Sequence, residues 1–90
     1  MAALRASAEL EPTLGDRLRK ARMVAGLSKE EMAERLGVSR AAVSGYELDR
    51  HRPKLENLQK WAEICEVPFD WLCLGVSLTK WYSRGLGTAA

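Results

Sequence analysis

The chain has 90 residues, a formal net charge of +2 and an ordinary apolar fraction of 47%. This length suits one domain with one modest core. No stretch is long and apolar enough to span a membrane, and the N-terminus lacks the apolar core of a signal peptide, so a cytoplasmic protein is expected. In that setting two cysteines without neighbouring histidines form neither a disulfide framework nor a zinc site, and we expect them to be free thiols.

The charges are unevenly distributed along the chain. Residues 13–54 carry ten Lys or Arg against six Asp or Glu, whereas residues 55–74 carry one against four. A basic part followed by an acidic part suits a protein that places one face on phosphate. For any single pair of residues, ordinary solvated charge is the alternative.

The N-terminal part predicts a tail followed by a first helix. Residues 1–12 are rich in Ala and Glu, and we expect a mobile tail there. Thr13 suits the cap of the helix, with Asp16 near its positive end, and Gly26 ends it. The inner face predicted from helical spacing consists of Leu14, Leu18, Ala21 and Ala25.

The segment 28–47 predicts two short helices joined by a tight turn. Ser28 and Glu31 have the spacing of a capping box, and Gly37 suits the left-handed residue that closes a helix. Ser39 caps the second short helix, which runs through Tyr46. Helical spacing predicts buried positions at Met32, Ala33 and Leu36 in one helix and at Ala42, Val43 and Tyr46 in the other.

The outward face of the second short helix combines one arginine with small residues. Its predicted members are Arg40, Ala41, Ser44 and Gly45. Small side chains allow a backbone to approach a partner closely, and in the major groove of DNA an arginine can bond a guanine edge while an alanine touches a thymine methyl. Glycine inside a helix costs ~1 kcal/mol relative to alanine, so Gly45 requires either close packing or close docking.

The spacing of these residues resembles the helix-turn-helix of the lambda-type phage repressors and Cro proteins, the Xre family. The resemblance covers residues 14–75, and its matching positions are Met32, Ala33, Leu36, Gly37, Val38, Val43 and Tyr46. It implies an all-α fold, a compact five-helix lambda-repressor-like domain over residues 13–75, with the second short helix in the major groove. It also implies base contacts by Arg40, Ala41, Ser44 and Gly45, and phosphate contacts by Lys29 and Ser39.

The same resemblance implies a structural ion pair between Arg22 and Glu47, which would join the first helix to the end of the recognition helix. We expect the pair to be partly buried and to fix orientation rather than add stability, because desolvation offsets most of the attraction. Asp49 stands where the family usually has glycine, which leaves the path of the following loop open. Phosphate contacts are also predicted for the loop residues Arg50, Arg52 and Lys54, with ordinary loop charge as the alternative.

The C-terminal part predicts two further helices and an extension. Leu55, Leu58, Ala62 and Cys65 form the apolar stripe of the fourth helix, and a fifth helix, apolar almost all round, runs from Pro68 to Gly75. Exposed apolar surface marks a contact site, and similar repressors dimerise here, so we predict a homodimer with Trp71, Leu74 and Trp81 at its interface. Core packing is the alternative for each residue. Residues 76–90 fit either a short strand across the dimer or a segment folded back on the fifth helix.

Together these features predict a sequence-specific regulator of transcription that binds double-stranded DNA at a roughly palindromic operator, like a phage repressor or Cro protein. An antitoxin of a toxin–antitoxin pair and a protein-interaction module of the same fold are the alternatives. No catalytic set emerges, because the serines lack a histidine partner and no glycine-rich loop follows a strand. We therefore predict no enzyme, no metal and no cofactor.

Overall fold

The computed structural model describes residues 12–75, and these form helices joined by short loops. The helices are α1 (Leu14–Val24), α2 (Lys29–Leu36), α3 (Arg40–Glu47), α4 (Leu55–Cys65) and α5 (Phe69–Leu74). Residues 12–75 contain no strand, and the prediction of an all-α, five-helix domain is confirmed. The strand considered for residues 76–90, Trp81 and nearly all of the predicted tail lie outside the described residues.

The N-terminal ends of the first three helices follow their local sequence signals. Thr13 Oγ1 accepts a hydrogen bond from the Asp16 backbone N–H at 3.1 Å, and the Asp16 carboxylate accepts one from the Thr13 N–H at 3.0 Å. Ser28 and Glu31 form the same reciprocal box at 3.0 and 2.9 Å. Ser39 accepts from the N–H of the third residue of α3 at 3.0 Å. Each of these predicted caps is confirmed, because it satisfies amide groups that a helix leaves unpaired at its start.

The core is centred on Trp61, which is fully buried in α4. Its indole N–H donates to the backbone oxygen of Leu18 in α1 at 3.1 Å, so the large ring is buried without an unsatisfied donor. Helix α1 packs against α3, α4 and α5, and α4 packs against α1, α2 and α5. The other buried apolar residues are Leu18, Ala21, Met32, Ala33, Leu36, Val43, Leu58, Ala62, Cys65 and Leu72.

Two residues of the predicted apolar stripes are exposed instead. Ala25 follows the last residue of α1, and Leu55, which is 62% exposed, is the first residue of α4. Both lie at helix ends, where no neighbouring helix covers them, so these two predictions were wrong. Cys65 is buried and Cys73 half-buried, and both are free thiols as expected. Burial raises the pKa of Cys65 to about 11, so this thiol stays protonated at neutral pH and packs as a small apolar group.

Arg17 attaches the short helix α5 to α1. Its Nε donates to the backbone oxygen of Leu72 at 2.8 Å, and its terminal amino groups donate to the oxygens of Cys73 at 3.0 Å and Pro12 at 2.9 Å. The last carbonyl groups of a helix lack partners within the helix, and a cation at that end interacts favourably with them. Arg17 therefore fixes the position of α5 on the N-terminal turns of α1.

Candidate nucleic-acid interface

Helices α2 and α3 meet at a sharp corner at Gly37. This glycine has the left-handed φ of 76°, which closes α2 without the steric cost that a side chain would carry. The N–H groups of Gly37 and Val38 both donate to the oxygen of Ala33, at 2.9 and 3.0 Å. Val38 then packs partly buried against the core. The chain therefore turns at this point, as the helix-turn-helix pattern predicts, and does not continue as one rod.

The first turn of α3 is open to solvent. Arg40 and Ala41 are exposed, and Ser44 is partly buried one turn later. Val43 lies beneath them, fully buried in the core. The N-terminal half of α3 thus carries accessible side chains on one side and is held by core packing on the other.

Gly45 departs from the predicted outward face. It is buried, and a Cβ atom added to it would lie 2.8 Å from Cδ2 of the His51 ring. The loop after α3 folds back here, with the N–H groups of Arg50 and His51 donating to the Gly45 oxygen at 2.9 and 3.3 Å. Gly45 therefore lies under the loop and not on the outward face, and the prediction that it faces bases was wrong.

Arg40 forms an exposed ion pair with Glu30 of α2. The Arg40 Nε donates to Glu30 Oε1 at 2.5 Å, and the two side chains are 58% and 65% exposed. The pKa of Glu30 lies below its ordinary value, because the carboxylate accepts from its own backbone N–H and from Arg40. Glu30 is therefore ionised at neutral pH, beside the accessible end of α3.

The opposite end of α3 is attached to α1 by the predicted ion pair. Arg22 Nε and Nη2 donate to the two carboxylate oxygens of Glu47 at 2.6 and 3.0 Å, and Nη1 donates to the Leu27 oxygen at 2.8 Å. Arg22 is 8% exposed and Glu47 6%, so the pair is buried more deeply than the sequence led us to expect. The hydrogen bond that Arg22 donates to Glu47 raises the pKa of Arg22 further above its already high value. Two parallel bonds and a third to the backbone fix both the distance and the orientation between the helices.

Asp49 provides a second attachment that the sequence analysis missed. Its backbone adopts the left-handed φ of 59° that closes α3, the conformation for which the family usually has glycine. Its carboxylate then crosses to the start of α1, accepting from the Gly15 N–H at 2.8 Å and from the Thr13 hydroxyl at 2.5 Å. A Cβ atom on Gly15 would collide with the backbone oxygen of Glu47, so this glycine permits the close approach of the two helix ends. The sequence feature that could have indicated this attachment is an aspartate at the position where the family usually has glycine.

The residues predicted to contact phosphate lie at exposed or half-buried positions in α2, at the start of α3 and in the loop after it. Lys29 is half-buried at the first residue of α2, and Ser39 is exposed at the cap of α3. The loop residues Arg50, Arg52 and Lys54 are all exposed. Burial raises the pKa of Cys73, and the charge of Arg52 opposes that shift.

Within residues 12–75, no helix has the length and apolar character needed to cross a membrane. The same residues include no group of three or more His, Cys, Asp or Glu that could hold a metal ion.

The family model described as "Helix-turn-helix" matches residues 18–72, which is more than half of the chain. The chain belongs to the helix-turn-helix family of the lambda-repressor and Xre type. The matched range runs from α1 into α5, so it includes Arg22 and Glu47 but not Thr13 and Gly15.

Curated relatives come from Bacillus subtilis strain 168. The SPbeta prophage-derived uncharacterized HTH-type transcriptional regulator YonR is 38% identical over 61 residues, which is 68% of this chain and 56% of that protein. The HTH-type transcriptional regulator ImmR is 37% identical over 60 residues, covering 67% of this chain and 47% of that protein. The chain thus spans about half the length of the curated relatives it matches.

Two solved structures share the fold. The restriction-modification controller protein C.AhdI from Aeromonas hydrophila is 34% identical with a TM-score of 0.60, and the match covers 66% of this chain and 89% of that one. The P22 c2 repressor, solved in complex with a synthetic operator, is 26% identical with a TM-score of 0.68, and the match covers 73% and 100%. The predicted fold class and family are confirmed by these matches.

Proposed function

We propose that this protein is a sequence-specific regulator of transcription that binds double-stranded DNA at a roughly twofold-symmetric operator. The observation that carries the proposal is the exposed first turn of α3, held in a fixed orientation from its far end by the buried pair of Arg22 and Glu47. The curated relatives named above are transcriptional regulators, and the similar P22 repressor was solved with operator DNA. We propose no catalytic activity.

Base recognition is assigned to the accessible half of α3. Arg40 can donate two hydrogen bonds to a guanine in the major groove, Ala41 can contact a thymine methyl, and Ser44 can bond to a neighbouring base. The proposed phosphate contacts are Lys29, Ser39, Arg50, Arg52 and Lys54. Contacts of this second kind set affinity and register without reading sequence.

We further propose that two copies bind the operator together. A single small module buries only ~600–1,000 Å² of protein surface on DNA, so two modules select a site better than one. Helix α5 offers apolar surface for this contact, since Leu74 is 66% exposed and Phe69 37% exposed, while Trp71 is half-buried beside them. In a twofold complex of this kind the half-site centres lie about 34 Å apart.

The test is selection of bound sites from a random DNA pool, followed by titration of the selected operator and of random DNA at several salt concentrations. We expect one preferred sequence and an affinity that falls steeply as salt rises, because phosphate contacts release counterions. Arg40→Ala should weaken the selected operator more than random DNA, whereas Lys29→Ala should weaken both alike. Lys60→Ala, which removes an exposed charge from α4, is the matched control and should change neither.

The dimer is tested separately by sedimentation of the protein with and without operator DNA. Leu74→Glu should abolish the two-copy complex, because it places a charge in the apolar contact. The control is Val24→Glu, which places the same charge at the C-terminal end of α1. Val24 is 74% exposed and lies at the opposite end of this helix from Arg17, so the two-copy complex should stay intact. Failure to select any sequence would contradict the proposed function, and copurification with a second small protein would favour the antitoxin alternative instead.

A further inference from the structure

The ion pair between Glu30 and Arg40 is not explained by capping or by burial. The start of α2 is capped by Ser28 and Glu31, and the start of α3 by Ser39. More than half of each paired side chain is exposed, and exposed ion pairs contribute little to folding stability. The ion pair therefore adds little to the stability of the fold.

A carboxylate in this place opposes DNA binding in general. Glu30 is ionised and lies in direct contact with the arginine at the accessible start of α3. A negative charge at a phosphate-binding surface repels the DNA backbone and weakens binding to every sequence. A contribution of this residue to DNA recognition would therefore have to come from discrimination between sequences and not from affinity.

The geometry of the pair provides such a benefit. Glu30 accepts from Nε of Arg40, and no other hydrogen bond of this guanidinium is found within residues 12–75. The two terminal amino groups are thus available, and two N–H groups of one guanidinium are what guanine O6 and N7 accept. A long arginine side chain loses rotamer freedom when it binds, and a hydrogen bond to a neighbouring helix removes part of that freedom in advance.

We propose that Glu30 is a positioning residue that holds the guanidinium of Arg40 for guanine and, through its charge, lowers affinity for DNA of every sequence. This inference rests on the proposed function, since it requires that Arg40 reads a base. The carboxylate of Glu30 thus has two effects. Its hydrogen bond to Arg40 increases the preference for guanine, and its charge reduces binding to any sequence.

The two effects are separated by variants of the full chain. Glu30→Gln keeps an oxygen that can accept from Nε but removes the charge, whereas Glu30→Ala removes both. Glu34→Ala removes the same charge from an exposed position on α2, outside the Arg40 pair, and is the matched control. Each variant is titrated with the selected operator, with random DNA, and with the operator changed at the base pair whose preference Arg40→Ala loses. Thermal melting checks that each variant is folded.

We expect both Glu30 variants to bind random DNA more tightly than the wild type. Only Glu30→Ala should lose preference for guanine at that base pair, by about two- to ten-fold, since Arg40 itself is kept and only the ordering of its side chain before binding is lost. Glu30→Gln and Glu34→Ala should keep the preference. In the Arg40→Ala background, Glu30→Ala should cause no further loss, because the two residues act through one contact.

Two results would overturn the inference while leaving the proposed function intact. One is an unchanged guanine preference in Glu30→Ala while Arg40→Ala loses it. The other is tighter binding of the selected operator by both Glu30 variants with no change in preference, which would make Glu30 a competitor for Arg40. If the wild-type protein selected no sequence at all, the proposed function would fail and this inference with it.

Discussion

The two ends of α3 are built in opposite ways. Its first turn presents Arg40 and Ala41 to solvent, and the one ion pair seen there is itself exposed. Its last turn is buried, with Glu47 paired to Arg22 and the next loop bonded across to the start of α1 through Asp49. One helix of eight residues thus has an accessible end and an anchored end.

This difference shows how a short helix can present side chains to a partner while the rest of the protein holds it in place. An isolated helix of this length is not stable in water, so its orientation must come from tertiary contacts. Placing those contacts at the C-terminal end leaves the N-terminal side chains unobstructed. Substitutions at the anchored end should therefore change stability first, and substitutions at the accessible end should change recognition alone.

The largest effect is expected from Glu47→Ala. It leaves the Arg22 guanidinium buried without its counter-charge, and losing one partner of a buried pair typically costs ~3–5 kcal/mol in the free energy of unfolding. The loss is measured by urea denaturation. The double variant Arg22→Met with Glu47→Leu removes both charges and should be closer to the wild type in stability, yet bind the operator more weakly. A double variant as unstable as the single one would contradict this account of the anchor.

The two helical glycines should respond differently to substitution by alanine. Gly15→Ala places a methyl group against the Glu47 backbone oxygen, which cannot move without shifting α3, so we expect a loss of about 1–3 kcal/mol. Gly45→Ala meets only the His51 ring, a side chain that can rotate away, and alanine gains ~1 kcal/mol over glycine in a helix. Gly45→Ala should therefore leave stability unchanged or raise it. Equal losses in thermal or urea denaturation would show that the two helix ends do not approach each other as described.

Asp49 allows the backbone and side-chain contributions to be separated. Asp49→Gly keeps a residue suited to the left-handed conformation but removes the bonds to α1, and loss of such a cap costs ~1 kcal/mol. Asp49→Ala also strains the backbone and should cost about 1 kcal/mol more. Urea denaturation of the two variants against the wild type measures both terms. If Asp49→Gly were as stable as the wild type, the bonds to α1 would be unimportant.

The smallest effect on stability is expected at the accessible end. Arg40→Ala removes an exposed ion pair, and the melting temperature should not change measurably. The same variant should nevertheless lose preference for the selected operator. A clear fall in melting temperature would show that the first turn of α3 belongs to the fold as well as to recognition.

Local signals accounted for most of the helix boundaries. The capping boxes at Thr13 and Ser28, the cap at Ser39 and the left-handed Gly37 all depend on residues within a few positions of one another. The pair of Arg22 and Glu47 lies 25 residues apart and came from the family resemblance, not from spacing. Residues 1–11 and 76–90 lie outside the described part of the chain, so the tail and the role of Trp81 stay predictions.

The sequence by itself determined where α1, α2 and α3 begin and that the chain turns at Gly37, because these depend on hydrogen bonds between near neighbours and on backbone sterics. Only the tertiary structure decided that Gly45 packs under the loop, since a glycine has no side chain to mark the inner face of an eight-residue helix. It also decided the bonds of Asp49 to the start of α1 and of Arg17 to α5, which join residues 34 to 56 positions apart. Polar contacts of this kind leave no periodic pattern, because they depend on which helix ends the packed core brings together.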